Sequence, residues 1–161
     1  MSPSSELRLG DQVFSSGRAK YLDMSPLQSG SGARIWVGVQ AFAQSGLEAT
    51  PCVFLAALDT GAGMCVIGAE LAKELGLSLF GRKATLSTAY GPVSGRHARL
   101  QLQMMAEEGD SLLAEATFLV AEEGGWPPQL VILGYEGLLQ RIRLAIDPGD
   151  GRNHIYFGSL P

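Results

Sequence analysis

The stretch that decides the fold is Phe54-Leu55-Ala56-Ala57-Leu58-Asp59-Thr60-Gly61-Ala62-Gly63. An almost wholly apolar run, Cys52–Leu58, is followed directly by one acidic residue, Asp59, at the start of a glycine-containing turn. A run this short, with Pro51 before it and Gly61 after it, predicts a strand that is buried on both faces. Because an ionised carboxylate at the end of a buried strand is costly to desolvate, Asp59 is a candidate functional residue.

The segments on either side of this turn predict further short strands. Apolar and polar residues alternate over Ile35–Ala43, which predicts a strand that pairs as a hairpin with Leu47–Leu58. After the turn, Met64–Ile67 is typical of a short buried strand. Leucines at helical spacing then predict a short helix over Ala69–Leu75, and Gly76 is placed to end it.

Two more hairpins and a glycine-ended strand follow. The segment 84–104 predicts a hairpin with its tip near Tyr90-Gly91-Pro92, and Met104–Val120 predicts another with its turn at 107–110. The loop Glu122–Pro128 leads into Leu130–Gly134, an apolar strand. Glycine at its end permits a close approach between two backbones.

Taken together, these residues resemble the retropepsin-like aspartic peptidases, single-domain homodimeric proteins of bacterial or retroviral type. Asp59-Thr60-Gly61-Ala62 is similar to their active-site signature. The hairpin around Tyr90-Gly91 lies where that family has its flap, which closes over substrate. Ile132-Leu133-Gly134 is similar to their motif behind the catalytic turn. The resemblance runs from about 35 to 146 and implies a mainly β fold, a closed barrel or sandwich of short strands with one or two short helices.

The resemblance also implies a mechanism for aspartic endopeptidase activity on protein or peptide substrates. Two carboxylates that share one proton activate a water for attack on a peptide carbonyl. This chain has a single Asp-Thr-Gly, so the resemblance implies a homodimer in which each protomer contributes one Asp59. Thr60 would brace the two catalytic loops through its hydroxyl, and Gly61 would keep the loop tight.

The implied substrate contacts lie in the turn and in the flap. They are Ala62, Gly63, Ala89, Tyr90 and Gly91. Gly63 departs from the family pattern, in which many members carry an acidic or small hydroxyl residue. Any substrate contact made by that side chain is therefore missing here.

Composition excludes several classes of protein. A net charge of −4 argues against a nucleic-acid partner, which would require a basic surface. No apolar run approaches the ~18 residues of a membrane span, and no secretory signal is visible, so we expect a cytoplasmic protein without a membrane partner. The two histidines, His97 and His154, have no ligand spacing, so neither a metal nor another cofactor is expected. Cys52 and Cys65 are expected to be buried free thiols; oxidation of Cys65 that loosens the site is a minor hypothesis.

The sequence divides into residues 1–33, an N-terminal arm expected to be partly flexible, and residues 34–161, the peptidase domain. A short strand is predicted over Gln12–Phe14 within the arm. A closing strand is predicted over His154–Phe157, and by the resemblance this strand, together with part of the N-terminal arm, is a candidate for an intersubunit sheet.

Two other interpretations stay open at the level of sequence. One is a dimer of the same fold that serves as a binding or scaffold module with little or no proteolysis. The other is an unrelated small β-barrel in which Asp59-Thr60-Gly61 is an ordinary strand-to-turn junction, since all three residue types favour turns. The second interpretation has to treat Leu133-Gly134 as coincidence.

Overall fold

The structure is a computed structural model that describes residues 6–23, 35–42, 51–88 and 91–161. Its strands and its α-helix are β1 (Arg8–Leu9), β2 (Gln12–Val13), β3 (Gly17–Lys20), β4 (Ile35–Phe42), β5 (Pro51–Asp59), β6 (Cys65–Ile67), α1 (Ala69–Glu74), β7 (Phe80–Thr88), β8 (Gly91–Met104), β9 (Glu108–Gly109), β10 (Leu112–Ala121), β11 (Ile132–Gly134), β12 (Ile142–Asp147) and β13 (His154–Ser159). Short 3-10 turns at Leu139–Arg141 and Gly149–Gly151 flank β12.

Six strands close into a barrel. Around the ring the neighbours are β10, β6, β11, β5, β4 and β8, and β8 pairs again with β10. β7 lies outside the ring and pairs antiparallel with β8, continuously from Ala84↔Gly95 to Thr88↔Gly91. The predicted mainly β fold, a closed barrel of short strands with one short helix, is confirmed.

The core fills the barrel because inward-facing apolar residues alternate along its strands. On β8, Ala98, Leu100, Leu102 and Met104 are all buried, and their neighbours Arg99 and Gln101 are exposed. This period of two follows from the pleat of a strand with one face on the core. β11 behaves differently, because all three of its residues are buried, as expected of a strand covered on both faces.

The predicted elements around the turn are present, with shifted bounds. β5 is not buried on both faces as predicted, because Val53 is 59% and Leu55 37% exposed and only Ala56 and Ala57 are buried. β4 and β5 form the predicted hairpin, and Phe42 pairs with Pro51. Residues 43–50, which contain the predicted start of the second arm, lie outside the described residues. The same holds for Ala89 and Tyr90 at the predicted flap tip. α1 starts at Ala69 as predicted and ends at Glu74, and Gly76 follows with a φ of 63°.

Three other predictions require correction. The turn predicted at 107–110 contains β9, because Glu108 and Gly109 pair with β3. The strand predicted over His154–Phe157 extends to Ser159 and lies between β12 and β3. Over His154–Phe157 both backbone edges of β13 are bonded within the chain, to β12 and to β3 of the N-terminal arm. A place for these strands in an intersubunit sheet stays a prediction.

The third correction concerns a thiol. Cys65 is buried, as predicted, but Cys52 on β5 is only half-buried. Both thiols are free.

Candidate active site

Asp59 is the last residue of β5 and points its carboxylate into the turn that follows. The Gly61 N–H donates to Asp59 Oδ1 at 2.9 Å, and the Ala62 N–H donates to the same oxygen at 3.2 Å. The Ala62 N–H also donates to the Asp59 carbonyl at 3.1 Å, which closes the turn. The carboxylate is therefore oriented by its own turn, and a Cβ at position 61 would lie 3.2 Å from Oδ1 and crowd it.

The turn is fixed from behind by β11. β11 lies between β5 and β6, parallel to the first and antiparallel to the second, and Gly134 is in register with Asp59. Beyond β11, the Tyr135 N–H donates to the Ala62 carbonyl and the Glu136 N–H donates to the Gly63 carbonyl, both at 2.8 Å. The turn therefore has backbone partners of its own instead of behaving as a free loop.

Gly134 occupies the closest approach in this arrangement. A Cβ built there would lie 2.2 Å from the Met64 carbonyl oxygen and 2.9 Å from the Ala62 carbonyl oxygen. These are backbone atoms, which cannot move aside as the end of a flexible side chain can. Leu133, its neighbour, is fully buried in the barrel core.

Cys65 also contacts Gly134 at this close approach of β11 to the turn. The Gly134 N–H donates to Cys65 Sγ at 3.3 Å. Burial raises the pKa of the Cys65 thiol to about 12, against smaller lowering effects of the Gly134 hydrogen bond and the charge of Arg141. The thiol is therefore protonated at neutral pH, and because the thiolate is the species that reacts, this environment argues against ready oxidation.

The turn forms one wall of a cleft with a volume of about 360 Å³. The residues lining it are Asp59, Gly61, Ala62, Gly63, Val66, Leu86, Ser87, Thr88, Trp126 and Ile132. Among these, Asp59 is the one ionisable side chain. It is half-buried, while Gly61 and Gly63 are exposed.

The other predicted site residues have less direct relations to the cleft. Thr60 is exposed in the turn and does not line the cleft. Gly91 opens β8 with a φ of 100°, and its carbonyl accepts a hydrogen bond from the Thr88 hydroxyl at 2.8 Å. Ala89 and Tyr90 lie outside the described residues. A Cβ at Gly63 would contact nothing within 4 Å, so no packing reason excludes a side chain there.

Sequence reasoning missed the cleft residues that come from other elements. Val66 and Ile132 were treated only as parts of buried strands, and Leu86, Ser87 and Thr88 only as one arm of a hairpin. Trp126 was passed over within the loop Glu122–Pro128. A tryptophan in a loop between two buried strands was the available signal, because a large ring there needs an apolar surface to cover it.

The described residues contain no group of three or more His, Cys, Asp or Glu side chains that could hold a metal ion. No helix in the described part of the chain is long and apolar enough to cross a membrane.

Comparison with known proteins defines the class of protein. The family model for aspartyl proteases matches residues 50–136, which include Asp59, the turn and the whole of β11 behind it. The chain belongs to this aspartyl protease family, and the family predicted from the sequence is confirmed.

A solved structure is also similar to this chain. It is a retropepsin-like aspartic protease from Rickettsia conorii, with 17% sequence identity and a TM-score of 0.44 over 89% of this chain and 94% of that one. No curated protein has a significant sequence match to this chain.

Proposed function

We propose that this protein is an aspartic endopeptidase that is active as a homodimer. The observation that carries the proposal is the position of Asp59, which sits at a cleft wall with one carboxylate oxygen held by two backbone N–H groups. Hydrogen bonds to one oxygen leave the other available for a water molecule or a second carboxylate. Membership of the aspartyl protease family supports the same assignment.

The need for a second copy follows from the chemistry. One carboxylate cannot serve as acid and as base in the same step, whereas two that share a proton can. Among the described residues that line the cleft, no second acid accompanies Asp59. A two-fold symmetric dimer supplies the missing carboxylate as Asp59 of the partner subunit.

The roles of the remaining residues are part of this proposal. Thr60, exposed beside the carboxylate, braces the paired turns through its hydroxyl, and Gly61 leaves the carboxylate uncrowded. Ala62 and Gly63 line the cleft where a substrate backbone lies. The hairpin of β7 and β8 closes over the substrate and excludes water, with Ala89, Tyr90 and Gly91 as the proposed substrate contacts of the flap.

The test compares wild type with Asp59→Asn on a diverse peptide mixture between about pH 4 and 7, the range expected for a carboxylate pair. We expect cleavage by the wild type and none by Asp59→Asn. A matched control is Asp11→Asn, which makes the same change in the turn between β1 and β2, outside the cleft, and should cleave normally.

Two results would contradict the proposal. Cleavage that persists in Asp59→Asn would remove Asp59 from the chemistry. Absence of cleavage by wild-type protein that sediments as a dimer would favour the binding or scaffold module instead.

A further inference from the structure

A second groove lies between α1, the β7–β8 hairpin and the end of β10. Its volume is about 370 Å³, and none of its lining residues lines the cleft beside Asp59. This lateral groove is lined from α1 by Ala72 and Lys73, from the hairpin by Lys83 and Arg96, and from β10 by Val120.

The bottom of the lateral groove is apolar. Ala72 is 4% exposed, Val120 6% and Ala121 1%. Gly95 permits the close approach of β8 to β10, because a Cβ there would overlap the Val120 carbonyl oxygen. Leu79, which also lines the groove, is 44% exposed. An aliphatic chain that covers these side chains would remove apolar surface from water, which is favourable.

Five charged side chains surround this apolar surface, and four of them are paired with one another. Lys83 Nζ lies 2.6 Å from Glu122 Oε1, and Lys73 forms a second ion pair with Glu123. Arg96 is the fifth, and it forms no ion pair with any residue that the structure describes. The lateral groove therefore carries one uncompensated positive charge, in a chain whose net charge is −4.

The guanidinium of Arg96 is suited to a carboxylate. Its Nε–H donates to the Gly81 carbonyl at 3.1 Å, and its two terminal nitrogens have no hydrogen-bond partner in the described part of the chain. A guanidinium can bind both oxygens of a carboxylate at once. A cationic ligand would be repelled by Arg96 and would meet no free carboxylate. A dianion would find one cation for two charges and would face Glu122 and Glu123.

We propose that the lateral groove binds an aliphatic monocarboxylate, with the chain on the apolar surface and the carboxylate on the Arg96 guanidinium. One negative charge on the ligand matches the one uncompensated cation. A polypeptide fits this surface less well, because its backbone N–H and C=O groups would lie against apolar side chains without partners. The site is separate from the proposed function, since it shares no residue with the cleft.

The test titrates the full-length wild-type protein with sodium octanoate by isothermal titration calorimetry. We expect a Kd of about 1 mM or lower, which is within reach of a ligand of this size. Octan-1-ol has the chain without the charge and should bind at least about tenfold more weakly, because hydrogen bonds to a charged group contribute that order of affinity. Acetate has the charge without the chain and should show no binding.

Two variants change the affinity in opposite directions. Arg96→Gln removes the cation at an exposed position and should weaken octanoate binding by about tenfold. Glu122→Gln releases Lys83 from its ion pair and should tighten binding by about threefold, the order expected of a surface pair. The matched controls are Arg99→Gln on the same strand as Arg96 and Glu107→Gln, both exposed and outside the lateral groove. Both controls should bind as wild type does.

Several results would overturn the proposal. They are the absence of octanoate binding up to about 10 mM, equal binding of octanoate and octan-1-ol, and unchanged binding by Arg96→Gln protein. Tighter binding of an acetylated peptide that ends in leucine would replace the aliphatic ligand by a peptide C-terminus. If Arg96→Gln does not fold, Glu122→Gln decides: tighter binding supports the site, and unchanged binding overturns it. Asp59→Asn protein should bind octanoate as wild type does, so failure of the peptidase function leaves this test intact.

Discussion

Gly134 is the residue at which the geometry of the active-site turn leaves the least room. Its Cα passes the Met64 carbonyl so closely that any side chain would overlap the backbone carbonyl groups of Met64 and Ala62. Overpacking against atoms that cannot move is relieved only by displacing the backbone itself. Since Gly134 is in register with Asp59, such a displacement would reach the carboxylate.

We therefore expect Gly134→Ala to lower the free energy of unfolding by about 3 kcal/mol or more, because it inserts a methyl group into an occupied backbone crossing. Urea denaturation followed by circular dichroism measures the change. Gly38→Ala is the matched control, because a Cβ on this glycine of β4 would contact nothing within 4 Å. Equal stability of the two variants would show that the backbone around Gly134 has room for a methyl group, which would contradict the close approach to Met64.

At the scale of elements, β3 shows that the segment before residue 34 contributes to the packed structure. Ala19 on β3 pairs with Ile155, and Arg18, which is 4% exposed, forms an ion pair with Glu108 at 2.5 Å. β3 lies between β13 and β9 in a four-stranded sheet with the order β12, β13, β3 and β9, which is separate from the barrel sheet. This sheet packs its apolar face, including Ala19 and Phe157, into the same core as the barrel.

Ala19→Asp should therefore lower the free energy of unfolding by more than about 3 kcal/mol, because it places an unpaired carboxylate in the core. Lys20→Asp introduces the same group one residue later, at an exposed position, and should change stability by less than about 0.5 kcal/mol. Thermal unfolding of both variants is the measurement. If Ala19→Asp unfolds at the wild-type temperature, β3 is not part of the folded core.

At the scale of the whole molecule, the proposed mechanism requires that both chains of a dimer carry Asp59. When subunits exchange, a wild-type chain that pairs with an inactive chain therefore loses its activity. A monomeric enzyme would not show the effect, because each chain would contain its whole site.

Refolding wild type together with Asp59→Asn protein should therefore reduce activity per wild-type chain. At equal amounts we expect about one half of the activity per wild-type chain, and at a ninefold excess of the variant about one tenth, for random pairing into two-fold dimers. Peptide cleavage rates at fixed wild-type concentration are the measurement. Mixing with Asp11→Asn protein instead should cause no loss, and constant activity in the Asp59→Asn mixtures would show that one chain is sufficient.

Much of the fold was predictable because its signals are local. The alternation over β4 and β8 and the apolar run of β5 act over a few residues, and each predicts a strand without reference to the rest of the chain. α1 was predicted for the same reason, from leucine spacing and a glycine stop. β3 was missed, because Gly17-Arg18-Ala19-Lys20 has no apolar alternation and its strand conformation depends on pairing with β13 at the other end of the chain.

The sequence by itself determined the turn at Asp59, since an apolar run, one acid and the following glycines specify that local structure and carry the family signature. The family resemblance of Ile132-Leu133-Gly134 also predicted that Gly134 lies behind this turn. Only the tertiary structure decided which side chains surround the carboxylate. Val66, Leu86, Trp126 and Ile132 come from four separate elements, and barrel closure, which depends on pairings distant in the chain, brings them to one cleft.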